Sequence, residues 1–214
     1  MKEKLRHIGR LYVFIFIFWG LYRLVFRLPQ DFEEIILKPL LWLGPTFYLV
    51  YVIEKRKFSS LGYDVKNFKN GIIKGLAFGA MFFLVGVFVN YIKDGSSLLD
   101  NFPAKEILLP SFFLAFITAV SEETVFRGYI MNRLKEILGK GLPANIISSI
   151  GFALIHLPIS IFVYHYNVEQ LIAYLVLIIL TSLGSGLLFD WTGSVWASIL
   201  IHLFWGWPIA FLNK

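Results

Sequence analysis

An all-α bundle of about seven membrane-spanning helices is the fold class this sequence predicts, and three observations predict it. The chain is 57% hydrophobic and 16% charged, against roughly 45 to 50% and 25% in soluble globular proteins. Its apolar residues come in long runs, about the length needed to cross a hydrocarbon core of ~30 Å. Most of its charges lie between those runs. Water is absent from the bilayer core, so a spanning segment must satisfy its own backbone, which a helix does. The formal net charge of +6 comes from 20 Lys and Arg against 14 Asp and Glu. In so apolar a chain that excess reads as the positive-inside bias of a membrane protein and not as a nucleic-acid surface. The sequence contains no cysteine, which excludes disulfides, thiolate metal sites and thiolate nucleophiles.

In chain order, the basic start MKEKLRHIGR and the run LYVFIFIFWGLYRLVF resemble a signal peptide in outline. The run is long and aromatic and lacks a small-residue cleavage site, so a retained first span is expected. Arg23, late in it, is expected to snorkel toward the interface. A second span is expected from Ile35 to Ile53. After it, Phe58, Leu61, Val65 and Phe68 recur at helical spacing in a basic stretch, which reads as an amphipathic surface segment or a solvated loop. A third span, Ile72 to Tyr91, contains glycines, and a polar loop over 93–105 follows it. The fourth span carries the charges discussed below. The fifth is expected from Leu142 to His156, with Pro143 in its first turn and Pro158 closing it. The sixth is expected from Val168 to Phe189 and the seventh from Val195 to Phe211. Lys and Arg gather in the N-terminus, the 54–74 linker and the end of the fourth span, which implies a cytoplasmic N-terminus; Lys38 is counted with the few cations on the opposite side.

The stretch Ser111–Leu138 sets Glu122, Glu123 and Arg127 into an apolar run. Three unpaired charges at mid-bilayer would cost about 7 to 10 kcal/mol. Glu123 and Arg127 stand i,i+4, acid before base, the favourable order for a pair. Their expected role is a structural tie that orients Glu122. Glu122 lies about 100° round the helix and has no partner there. His156, four residues after Phe152 on the same face, ends the fifth span. His202 sits roughly 12 Å along the seventh, and Glu122 lies at a similar depth in the fourth. Two histidines and a glutamate can therefore meet in one layer inside the bundle, since lipid does not tolerate them. That set suits either a His₂Glu metal site with an open position or a metal-free pair that activates water, and both give hydrolysis. Ser148, Ser149, Thr181, Ser182 and Ser185 read as close-packing residues.

Glu122, Glu123 and Arg127 fit the pattern EExxxR, Phe152 and His156 fit FxxxH, and the chain continues to TGSVWASILIH, ending at His202. In that order and spacing, residues 108–211 resemble the CAAX prenyl-protease and bacteriocin-immunity (CPBP, or Abi) family of intramembrane proteases. The resemblance implies that Glu122 and His156 activate the attacking water and that His202 stabilises the oxyanion or completes a metal site. It implies a metalloprotease with Glu122, His156 and His202 as ligands of one divalent ion such as zinc, or the same residues without a metal. The family's last motif continues to Asn or Asp four residues after the histidine, where this chain has Gly206; the indole N–H of Trp205 or Trp207 is a candidate substitute. The implied catalytic layer is formed by the last four spans. Residues 1–107 are then N-terminal spans with an amphipathic cytoplasmic linker, and 108–214 the catalytic bundle, within one integrated membrane domain. The expected partners are the lipid bilayer and a small membrane-associated peptide or protein substrate, with no nucleic acid, in a bacterial plasma membrane. Gly206 keeps a second expectation open, a non-catalytic immunity or partner-binding protein on the same fold. A proton-coupled transporter ranks last, because no paired broken-helix signal in two halves accompanies the charges.

Overall fold

A computed structural model describes residues 1–26, 28–94 and 105–212. Among them the chain forms seven helices and no strand. These are α1 (Lys2–Val25) and α2 (Gln30–Ile53), then α3 (Val65–Asp94). Helix α4 begins as Lys105–Glu123, widens to π-helical turns over Thr124–Met131 and ends as Asn132–Leu138. Helix α5 runs over Gly141–Leu154 and, past a break, continues as Leu157–Phe162. Helices α6 (Val168–Thr192) and α7 (Val195–Leu212) complete the bundle. Among the described residues, six of these helices are long and apolar enough to cross a membrane. Helix α7 is an 18-residue helix without Asp, Glu, Lys or Arg.

Helix α7 is the middle of the bundle. Val195, Ala197, Ile199, Ile201 and Leu203 are all buried, and the helix packs chiefly on α3 and α4. In lipid there is no hydrophobic drive between helices, so close packing of small residues has to bring backbones together. Helix α3 supplies it through Gly71, Gly75 and Gly79, one on each turn of the face turned to α7. A Cβ built on Gly75 would lie 3.0 Å from Ala197 Cα, and one on Gly79 would lie 3.1 Å from the Leu200 carbonyl oxygen. Backbone atoms cannot swing aside as a side-chain tip can. At the end of the bundle that holds the N-terminus of α1, Glu54 pairs with Arg133 at 2.8 Å, while Glu136 accepts from Lys4 and Arg56, each at 2.6 Å. These ties join α1, the α2–α3 linker and α4.

Several expectations change. The stretch after α2 is not one amphipathic helix. Phe58–Leu61 is a short 3₁₀ turn, and Gly62 then adopts φ +84°, a left-handed conformation that stops the turn. Leu61 goes into the core and Val65 stays exposed, so the apolar spacing that suggested one face is split by the turn. Helix α3 starts at Val65, earlier than hydropathy suggests, and α6 extends to Thr192. Pro158 opens the short second part of α5 instead of closing the first. Arg23 does not snorkel: it is buried and pairs with Glu33 and Glu34 of α2. Lys38 belongs to no flanking loop, because α2 begins eight residues before it and carries it, buried, into the bundle. The expected polar loop over 93–105 falls mostly outside the described residues.

Gly75→Val should destabilise the fold by about 1 to 3 kcal/mol through overpacking of the α3–α7 contact. Gly9, where a Cβ would meet nothing within 4 Å, serves as the control. Thermal unfolding of the two valine variants in detergent checks this, and equal melting temperatures would remove the close-packing account.

Candidate active site

Glu122 and Glu123 are neighbours on α4, so their side chains leave the helix about 100° apart and meet different helices. Glu123 faces α6 and α7. Its Oε2 accepts from Arg127 Nε at 3.0 Å and from Ser185 Oγ at 2.8 Å, and its Oε1 lies 2.8 Å from His202 Nδ1. Arg127 is held in turn by the Ser182 hydroxyl at 2.8 Å and the Ser182 carbonyl at 3.2 Å. Its guanidinium lies 4.7 Å from the centre of the Phe152 ring, in cation–π contact. The i,i+4 pair expected from spacing is present, and α6 serines add hydrogen bonds to it, while Arg127 Nη1 has no hydrogen-bond partner among the described residues.

Glu122 faces α2. Its Oε1 accepts a 2.8 Å hydrogen bond from Lys38 Nζ, and its Oε2 lies 3.7 Å from His202 Nε2. The expectation that Glu122 has no partner within its own helix holds; the partner comes from 84 positions earlier. Lys38 also pairs with Glu34, which accepts from Thr118 at 2.7 Å and is approached by Arg23 at 3.6 Å. Beyond Arg23 lies Glu33, which also receives the Tyr22 hydroxyl. The resulting run of opposite charges, Glu33, Arg23, Glu34, Lys38 and Glu122, crosses from α1 and α2 to α4. His202 carries it on to Glu123 and Arg127.

The break in α5 places His156. Its Nδ1 lies 2.8 Å from the Phe152 carbonyl. A carbonyl only accepts, so Nδ1 is the protonated nitrogen and Nε2 keeps the lone pair in the neutral ring. His202 obeys the same logic, with Nδ1 donating to the Glu123 carboxylate and Nε2 turned toward Glu122. Both rings pack against the Phe152 ring, with centroids 4.7 Å away for His156 and 6.0 Å for His202. His156 is also within electrostatic reach of Glu122. Glu122, His156 and His202 thus share one layer, as expected, and Phe152 is its hub.

Three further findings bear on what this layer can do. Lys38 and Glu34 belong to it, although α2 lies outside the last four spans. Hydropathy hides them: two charges at the edge of an apolar run look like its flank. Trp207 is not free to replace the missing motif side chain, because its indole N–H donates to Ser111 Oγ at 3.2 Å, and the Trp205 ring packs edge-on against Phe82. The small hydroxyl residues are bound in packing contacts: Ser148 donates to the Phe126 carbonyl, Ser149 to Asn145, and Thr181 to the Leu177 carbonyl.

Glu122, His156 and His202 have the donor chemistry of a His₂Glu zinc site. Their arrangement does not form one, since among the described residues no three His, Asp or Glu side chains converge as metal ligands. One Glu122 oxygen is also occupied by an ammonium group. As they stand, these side chains are placed for hydrogen bonding and proton transfer.

The helices and this layer define a polytopic membrane protein with a buried Glu/His centre. Residues 104–207 match the family model described as type II CAAX prenyl endopeptidase Rce1-like. That stretch holds α4 to most of α7, and the match agrees with the resemblance carried by the three motifs. Comparison with curated proteins and with solved structures finds no significant match.

Glu123→Ala should cost about 3 to 5 kcal/mol, because it leaves the buried Arg127 guanidinium without its counter-ion. Glu122→Gln should cost much less, since Lys38 keeps Glu34. Unfolding of the two variants in the same detergent checks the order; a Glu122 variant as unstable as the Glu123 variant would contradict the division between them.

Proposed function

We propose that the protein is an intramembrane endopeptidase that hydrolyses a peptide bond in a small membrane-associated peptide or protein, with Glu122 and His156 activating water. The observation that carries this reading is the buried Glu122 carboxylate, whose Oε2 faces a histidine nitrogen within an Rce1-like region. A carboxylate with one oxygen fixed by an ammonium and the other facing a histidine nitrogen is a general base in place. Glu122 Oε2 takes a proton from water, and the hydroxide oxygen bonds to the scissile carbonyl carbon as its π pair moves onto oxygen. Collapse then breaks the C–N bond, and the proton passes to the leaving nitrogen. His156, with Nε2 unprotonated, is the second group able to relay it. Glu123, Arg127 and Phe152 hold the two histidines and are positioning residues. The protein is read with its N-terminus on the cytoplasmic side of a bacterial plasma membrane, on the distribution of Lys and Arg.

A divalent metal such as zinc remains the other way to activate the water, with Glu122, His156 and His202 as its ligands. The Lys38 ammonium favours the metal-free form, because a second cation on the same carboxylate is repelled. Proteolysis should therefore withstand phenanthroline; loss of activity that zinc restores would assign the metal instead.

Gly206 favours a second reading, a non-catalytic immunity or partner-binding protein on the same fold. Mass spectrometry of peptide termini separates the two, in membranes of cells that carry wild type or Glu122→Gln at matched expression. New termini that fall by at least about 10²-fold in the variant support the protease. Identical profiles, with the cellular function kept, establish the non-catalytic protein.

A further inference from the structure

Hydrolysis by this route moves a negative charge from the Glu122 carboxylate to the carbonyl oxygen of the substrate, and that oxyanion needs a preorganised donor. Several donors of the layer are already committed, while Arg127 Nη1 and Trp42 Nε1 are donors without a hydrogen-bond partner among the described residues, and only Lys38 brings a compact cation onto Glu122 itself. His156 Nδ1 and His202 Nδ1 are committed to Phe152 and Glu123, and the Trp207 indole to Ser111. Position 206, one turn of α7 beyond His202, carries no side chain. An ammonium has three N–H donors. Lys38 uses one on Glu122 and one on Glu34, and the third meets no acceptor among the described residues.

We propose that Lys38 is a catalytic residue, the donor that stabilises the oxyanion in the endopeptidase reaction. The inference rests on the endopeptidase reading of Glu122. Lys38 is only 5% exposed, and its ammonium lies over the rings of Trp19 and Trp42, whose centres are 5.5 and 5.8 Å from Nζ. Glu34 anchors the ammonium from behind, while Thr118 and Arg23 hold Glu34. In the resting site the third party to this cation is Glu122. When Glu122 takes the water proton it becomes neutral, and the ammonium loses half of its counter-charge just as one unit of negative charge appears on the carbonyl oxygen. The water O–H bond breaks, the new C–O bond forms, and the carbonyl π pair becomes the oxyanion lone pair. Lys38 then pairs with that oxygen without leaving Glu34. Collapse of the intermediate returns the proton to the leaving nitrogen and the negative charge to Glu122, which restores the original pair.

The same geometry says what would replace Lys38. A Cβ on Gly206 would meet only His202 Cδ2, at 3.9 Å, beside the His202 edge that faces Glu122. An asparagine there would carry its amide beside that edge of His202.

The test follows the rate at which new peptide termini accumulate in membranes after a timed pulse of expression, per folded protein measured by size exclusion in detergent. The variants are Glu122→Gln, Lys38→Met, Lys38→Gln, Gly206→Asn, and each Lys38 change combined with Gly206→Asn. Lys38→Gln keeps a hydrogen bond to Glu34 and serves where the methionine variant does not fold. The Lys38 variants should be about 10² to 10³-fold slower, as for loss of one oxyanion donor, and Gly206→Asn should restore at least about tenfold. A purely structural role for Lys38 predicts no such rescue, so slow variants that Gly206→Asn leaves slow overturn the proposal. Folded Lys38 variants within about threefold of wild type also overturn it, while their dependence on Glu122 leaves the endopeptidase reading standing. Wild-type protein that yields no Glu122-dependent termini overturns both.

Discussion

The hydrogen bond between Lys38 and Glu122 is the contact on which the arrangement of the buried charges depends. Either group alone in the bilayer interior would cost several kcal/mol. Together they join two runs of charge that would otherwise stop in lipid, one from Glu33 through Arg23 and Glu34, the other from His202 through Glu123 to Arg127. Each carboxylate in the run has a cation or a histidine beside it. Because the members come from α1, α2, α4 and α7, with α6 serines at the far end, satisfying the charges also fixes how those helices meet. The N-terminal helices are therefore part of the site's electrostatics. The charge network crosses the division at residue 107 that the sequence led one to expect.

The two adjacent glutamates show how one helix gives two carboxylates different work. Glu123 is saturated: Arg127, Ser185 and His202 occupy both of its oxygens. Glu122 has one oxygen bound to Lys38 and the other 3.7 Å from a histidine nitrogen, too far for a direct hydrogen bond. A saturated carboxylate holds its neighbours still, and an unsaturated one can accept a proton. The helix widens to π geometry directly after this pair, over Thr124–Met131, a feature that recurs at functional sites because it shifts which residues share a face.

Much of this was legible in the sequence, and what was hidden shares a physical cause. Glu122, Glu123 and Arg127 announced themselves by their cost in an apolar run, and His156 and His202 by depth. The number and order of the helices followed from hydropathy, although several of them begin or end outside the apolar runs. Lys38, Glu34 and Arg23 were concealed because a charge near the end of an apolar run has a cheap alternative, extension toward the interface, and sequence alone does not tell it from a buried partner on another helix. The reading of Phe58 to Phe68 as one face failed on Gly62, where a single left-handed residue splits the spacing. The glycines of α3 were visible as residues, but their register against α7 required the packed backbones.

The cost of this network bears on whether it is used. A buried ion pair is weak evidence for stability, since apolar residues of similar volume often stabilise as well or better. A protein that needed only to hold seven helices together in lipid would gain little from four glutamates, two arginines and a lysine in its interior. A part of this set serves as ties: Glu123 with Arg127, and Arg23 with Glu33. Glu122 is different, because its second oxygen is tied to nothing, and the two histidines beside it are each fixed through Nδ1 with Nε2 left over. Such unspent acceptor positions are what proton transfer requires and what packing avoids. That contrast weighs against a scaffold that keeps the motif by inheritance alone, and it places the weight of the endopeptidase reading on the unsatisfied edges of Glu122, His156 and His202.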